Sequence, residues 1–148
     1  MAIIATLLLG LMLARLIWLD LKTRRLPDVY TLTLLGAGIV LNGACAGALP
    51  ALSLWGAIFG YLSFWVVGEV FFRWRRREGL GLGDAKLLAA TGAWLGLASL
   101  PLVVLISAAT ALGYALLRGP PWDRAMPFGP FMAMSFWLLW LVQGPICG

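Results

Sequence analysis

The chain has 148 residues, 62% hydrophobic and 11% charged, where soluble domains carry about 45–50% and about 25%. Eleven basic and six acidic side chains cannot clothe a soluble fold of this size, and the mean hydropathy of +0.95 agrees, so a soluble enzyme, a nucleic-acid binder and a disordered tail are excluded together. The net charge of +5 is explained by where the charges fall, not by a nucleic-acid partner.

A membrane-spanning helix needs about 20 mostly apolar residues. The first such run, 2–19, is interrupted only by Arg15 and meets Asp20 at its end. It has no basic n-region and no small-residue cleavage site, so it is expected to stay as a helix and not to be removed as a signal peptide. Val29–Gly68 is a stretch of 40 residues without a charge, broken at Pro50, which predicts spans at 29–48 and 51–72. Leu87–Leu117, 31 uncharged residues broken at Pro101, predicts spans at 86–99 and 101–117. Ala125–Gly148 adds 24 more and a sixth span at 128–143. The fourth span is short, about 21 Å of helix against a hydrocarbon core of about 30 Å. Polar backbone at that depth must be covered by protein or face water, so an aqueous cleft is expected near residues 80–86. The expected fold is all-α: one polytopic membrane domain over 1–148, six transmembrane helices, with the bilayer as its solvent. Gly36/Gly43/Gly47 and Gly56/Gly60 are the expected sites of close helix packing. The eight tryptophans read as interface or packing aromatics.

All basic residues fall on one side of this arrangement. Lys22, Arg24 and Arg25 follow span 1, Arg73 and Arg75–Arg77 follow span 3, and Arg118 and Arg124 follow span 5. Arg15 and Lys86 lie beside the same connections. The positive-inside rule makes that side cytoplasmic and turns both termini outward. All six acids, Asp20, Asp28, Glu69, Glu78, Asp84 and Asp123, lie there too. Any chemistry is therefore expected in a cytoplasm-facing cleft. The two cysteines, Cys45 and Cys147, are far apart, with no CxxC pair and no histidine anywhere. Clustered soft or imidazole ligands are lacking, so no metal site is expected, and both cysteines read as buried free thiols.

Two acids stand out by position. Asp20 falls where the first span meets the basic face, and Asp84 falls at the start of the fourth, in Gly81-Leu82-Gly83-Asp84-Ala85-Lys86. A carboxylate near membrane depth is costly and is expected to face the bundle interior or a water-filled cavity. Two aspartates that meet across a cleft cannot both ionise cheaply, so the pair holds one shared proton. The charged member can take a proton from water, and the protonated member can polarise a peptide carbonyl, with no metal, nucleophilic side chain or cofactor. Gly79, Gly81 and Gly83 alternate with leucines and can adopt positive φ, letting another backbone approach. The plain alternative is a flexible loop with Asp84 at a helix N-terminus.

Gly81-Leu82-Gly83-Asp84 resembles the GxGD motif of intramembrane aspartyl proteases. The longer run Arg77–Ala90, continuing through Gly92-Ala93-Trp94-Leu95-Gly96, resembles the signature of the type IV prepilin peptidases. Asp20-Leu21-Lys22-Thr23-Arg24-Arg25-Leu26-Pro27-Asp28 is similar to that family's first-aspartate segment, and Pro127-Phe128-Gly129-Pro130 to its late PFGP segment. The resemblance implies that Asp20 and Asp84 are the catalytic pair. It implies cleavage of the basic leader from a type IV prepilin or a type II secretion pseudopilin at the cytoplasmic face of the bacterial inner membrane. Larger members carry an N-terminal cysteine-rich, zinc-binding region and methylate the new amino terminus with S-adenosylmethionine. Here the first span begins at Met1 and no CxxC exists, so a short, peptidase-only core without cofactor is expected.

Lys86 is read either as tuning Asp84 or meeting a substrate acid, or as snorkelling to the interface. Asp28 either favours the helix dipole or tunes the site or binds the leader. Gly81, Gly83 and the helix-breaking Pro127, Phe128, Gly129 and Pro130 are candidate receivers of an extended substrate. Glu69 and Arg73 are spaced for an i,i+4 pair, and Glu78 and Asp123 could attract the leader. Two rivals are a non-enzymatic transporter or scaffold with paired acids, and a GxGD protease of the presenilin type that cuts lipid-buried helices.

Overall fold

The charge-free runs fold as helices, and the breaks within them fall at residues 47–50 and at Gly96. The computed structural model describes residues 2–76, 81–119 and 126–144. α1 spans Ala2–Thr23, α2 Asp28–Ala46, α3 Ala51–Arg75, α4 Leu82–Leu95, α5 Leu100–Arg118 and α6 Gly129–Gln143, with one 3-10 turn, Leu97–Ser99, before α5. No strand occurs among the described residues. Ile3–Thr23, Asp28–Ala46, Ala51–Arg75 and Leu97–Arg118 are long and apolar enough to cross a membrane, and Gly129–Gln143 is a shorter apolar helix. The chain is an all-α polytopic membrane protein.

Two boundaries differ from expectation with consequences for the site. α1 runs beyond residue 19, so Asp20 lies inside the helix and not at its end. The helix closes at Arg24, φ 53°, whose N–H donates to the Asp20 carbonyl oxygen at 2.8 Å. α4 occupies Leu82–Leu95 and not 86–99, so Gly83 and Asp84 belong to its first turn. An acid there complements the helix dipole, which favours the earlier start. Gly96, φ 78°, adopts a backbone geometry that side chains rarely tolerate and stops the helix. Pro101 does not break α5; it sits in the first turn, where its missing N–H leaves nothing unsatisfied.

α4 is the centre of the bundle. Ala85 and every residue from Leu87 to Leu95 are buried, enclosed chiefly by α3, α2 and α6. A helix covered all round needs small residues where its neighbours cross. At the α3 crossing Gly56 faces Gly92, and a Cβ on either would run into the other's carbonyl oxygen. One turn away a Cβ on Gly60 would lie 2.7 Å from the Leu88 carbonyl oxygen. Lipid is as apolar as the helices, so such backbone contact, not water exclusion, holds them together. The Gly36/Gly43/Gly47 seam is not formed: a Cβ on Gly36 or Gly47 would meet nothing within 4 Å. Gly47, φ 62°, instead closes α2. The α2 contact is made by Gly38 against the ring of Trp94, whose Nε1 donates to the Leu34 carbonyl at 2.7 Å.

Because α4 ends inside the bundle, its last carbonyls need partners. Asn42 Nδ2 donates to Ala93 O at 2.8 Å and Trp94 O at 3.2 Å, and it also contacts Ser53 Oγ at 3.0 Å. Asn42→Leu strands those acceptors where water is absent. We expect a loss of about 1–3 kcal/mol, read as a lower melting temperature of the detergent-solubilised protein.

α1 lies on α6: the Trp137 ring covers Gly10, and Trp140 Nε1 donates to Thr6 Oγ1 at 3.1 Å. α5 flanks α6, with Tyr114 and Phe131 rings 5.6 Å apart. α1 and α4 hardly touch directly. The reading of Cys45 as a buried free thiol is corrected. It is exposed in the last turn of α2, at the bundle's end and not in its interior, and it is disulfide-bonded. The chain's other cysteine, Cys147, lies outside the described residues.

Candidate active site

Asp20 of α1 and Asp84 of α4 converge over the start of α6. Asp20 is 6% exposed, and Asp84 is half-buried. Gly129, the first residue of α6, lies between them. A Cβ built there would be 2.6 Å from Asp20 Oδ2 and 3.6 Å from Asp84 Oδ1. The two oxygens are therefore no further apart than those two distances laid end to end, and both carboxyl groups bound one small volume. Asp20 Oδ2 is buried without a hydrogen-bond partner among the described residues. Buried polar atoms are nearly always satisfied, so an orphaned carboxylate oxygen marks a place where stability is given up.

A cavity of about 480 Å³ opens over the pair at the charged end of the bundle. Of the residues singled out in the sequence, Asp20, Gly81, Gly83, Asp84, Pro127 and Phe128 line it. Pro130 is buried in the first turn of α6. Gly81 is extended, φ −74° and ψ 145°, and leads into α4, so the expected positive φ is not adopted there. The value of Gly83 lies in space: a Cβ would come 2.9 Å from Leu26 Cβ. The missing side chain admits the connection between α1 and α2, not a second backbone. Phe128 packs on Phe64 of α3, ring centroids 6.2 Å apart, which fixes the non-helical segment 126–128 as a wall of the cavity.

Lys86 and Asp28 do not line the cavity; they meet each other, Lys86 Nζ to Asp28 Oδ1 at 2.6 Å. Glu69 and Arg73 form the i,i+4 pair their spacing predicts, at 2.9 Å. Gly79, Glu78 and Asp123 lie outside the described residues. Arg24, Arg25, Leu26, Leu82 and Met126 also line the cavity and were not singled out as site residues. Their signal is their place within or beside the three motif segments, whose charges and chain breaks do not by themselves show the walls they build.

Fold and site together define a polytopic membrane protein with two acidic side chains gathered at one end of a helical bundle. The sequence profile of the type IV leader peptidase family matches residues 7–116, and the chain belongs to that family. It is 42% identical over 144 residues to a prepilin leader peptidase/N-methyltransferase of Aeromonas salmonicida (strain A449), covering 93% of this chain and 49% of that protein. The protein of the same name in Stutzerimonas stutzeri is 40% identical over 142 residues, covering 92% and 49%. The one in Neisseria gonorrhoeae is 36% identical over 141 residues, covering 95% and 49%. The chain thus spans about half the length of these relatives. No solved structure matches it.

Proposed function

We propose that the chain acts as an aspartic endopeptidase that removes the basic leader from type IV prepilins or type II secretion pseudopilins, with Asp20 and Asp84 as the catalytic pair. The observation that carries this reading is the convergence of both carboxyl groups on the small volume beside Gly129, under an open cavity. A water held there gives a proton to one carboxylate as its oxygen attacks the scissile carbonyl. The other carboxyl group, protonated, gives its proton to that carbonyl oxygen; the first, now protonated, then gives its proton to the leaving amine while the second takes one back from a hydroxyl of the tetrahedral diol. No side chain is acylated and no cofactor is required.

Binding follows from the walls. Gly81, Gly83, Pro127 and Phe128 border a slot that suits an extended peptide. Arg24 and Arg25 at its rim repel a basic leader, so recognition falls to the apolar stem. A second cavity of about 360 Å³ shares Gly81 and Leu82 with the first and continues along α3 past Phe64, Trp65 and Phe72, a surface suited to such a stem. We further infer that one membrane domain sits in the bacterial inner membrane with its charged end cytoplasmic and both termini outward. The placement of basic residues supports this orientation. So does the disulfide at Cys45, at the opposite end of α2 from Asp28, since disulfides persist on the oxidising side of a membrane.

The test is direct cleavage. The purified protein, incubated in detergent with a prepilin, should yield one new amino terminus between leader and stem by mass spectrometry. Cuts inside the stem would point to a presenilin-like protease, and an intact substrate would point to a non-enzymatic role.

A further inference from the structure

We propose that the Lys86–Asp28 ion pair is a latch that sets the spacing of the two aspartates, making Lys86 and Asp28 positioning residues and not substrate contacts. The inference rests on the two-aspartate reading above. α1 carries Asp20 and α4 carries Asp84, yet these helices hardly touch. Apart from α6 and α2, which pack on both, what joins them is the short connection after α1. Its first residue, Arg24, donates its N–H to the carbonyl of Asp20, which ties the connection to the turn that bears the acid. Leu26 then lies on Gly83 so closely that no Cβ would fit between them. Two residues later Asp28 reaches Lys86 at 2.6 Å. Gly83 and Lys86 are three residues apart and share a face of α4. The connection therefore presses on α4 one residue before Asp84 and is tied to it two residues after.

Stability does not account for the pair. The Lys86 side chain is 25% exposed and that of Asp28 61%, and ion pairs this open to water add little. Substrate contact at the carboxylates does not account for it either, because neither side chain lines the cavity. What the pair supplies is geometry. It holds the α2 end of the connection on α4, so Asp20 cannot drift from Asp84 as the bundle breathes. Misplacing a catalytic group by about 1 Å can lower a rate about a hundredfold.

The test uses the full chain in detergent with a peptide that has a basic leader and an apolar stem. Lys86→Gln and Asp28→Asn should each lower kcat by about tenfold to a hundredfold with KM within about twofold. The exchange Asp28→Lys with Lys86→Asp should recover most of that loss. A higher KM with kcat intact would make the two residues substrate contacts and overturn the latch. So would wild-type kcat in either single variant, or an exchange no better than the singles. A second arm does not depend on cleavage. Spin labels replacing Leu21 and Leu82, both 60% exposed, should give a distance distribution that broadens in Lys86→Gln and sharpens again in the exchange. An unchanged distribution overturns the latch whatever the activity. Full cleavage by Asp84→Asn would instead count against the two-aspartate reading and leave the spacing result to decide the latch.

Discussion

Asp84→Asn and Asp20→Asn are each expected to abolish leader cleavage, lowering the rate by about 10⁴-fold or more while the protein still inserts and folds. In the proposed reaction each carboxyl group must both accept and give up a proton during one turnover. An amide of the same shape can do neither, so the loss is chemical and not steric. The Asp20 variant should also show a second property. Asp20 Oδ2 is buried with no partner among the described residues, and a buried carboxylate left that way opposes folding. Its replacement by a neutral amide should leave the melting temperature unchanged or raise it, as happens where activity and stability compete. An aspartate that merely capped a helix or completed an ion pair would behave the other way, losing stability on substitution. Single-turnover cleavage measured beside thermal unfolding in detergent separates the two. Processing at the wild-type rate by either variant would remove the pair from the mechanism.

How far this site could be read in the sequence depends on which physical signal each part leaves. Helix existence was legible because charges cannot enter lipid cheaply, so the uncharged runs and the break at Pro50 divide the chain; the second break falls at Gly96 and not at Pro101, which a helix tolerates in its first turn. Which helix sits in the middle was not, because lipid and protein interior are both apolar and hydropathy does not tell them apart. The central place of α4 had a weaker signature, the concentration of Ala85, Ala89, Ala90, Gly92 and Ala93, that only the facing Gly56 and Gly60 of α3 explain. The meeting of Asp20 with Asp84 was accessible through motif resemblance alone, since no local rule links residues on two helices that hardly touch. Two details had no local signal at all. Lys86 turning to Asp28 depends on how the connection after α1 crosses α4. The position of Gly129 between the carboxyl groups depends on where α6 begins. Cys45 was misread for a related reason: an apolar neighbourhood in sequence does not distinguish a bundle's interior from its rim.

Gly129→Ala tests that convergence with a single methyl group. The new Cβ would sit 2.6 Å from Asp20 Oδ2 and 3.6 Å from Asp84 Oδ1. The first distance is shorter than such contacts tolerate, so something must move. The start of α6 has little freedom: Pro130 is buried beside it, and Phe128 is held on Phe64. The Asp20 carboxyl group is the part that must give way, and it moves away from Asp84. Even after that movement an apolar methyl occupies the volume that both carboxyl groups border, where the attacking water would stand. We expect kcat to fall at least about a hundredfold with KM changed only a few-fold, because the stem-binding surface along α3 is untouched. Folding should survive, since Gly129 is helical and without the positive φ that would bar alanine. Gly113→Ala is the matched control. It too lies in a helix, and its Cβ would meet nothing within 4 Å, so cleavage should stay at the wild-type rate. Equal activity in the two alanine variants would mean that the acids do not work across the space in front of Gly129, and the hydrolytic reading would lose its geometric basis.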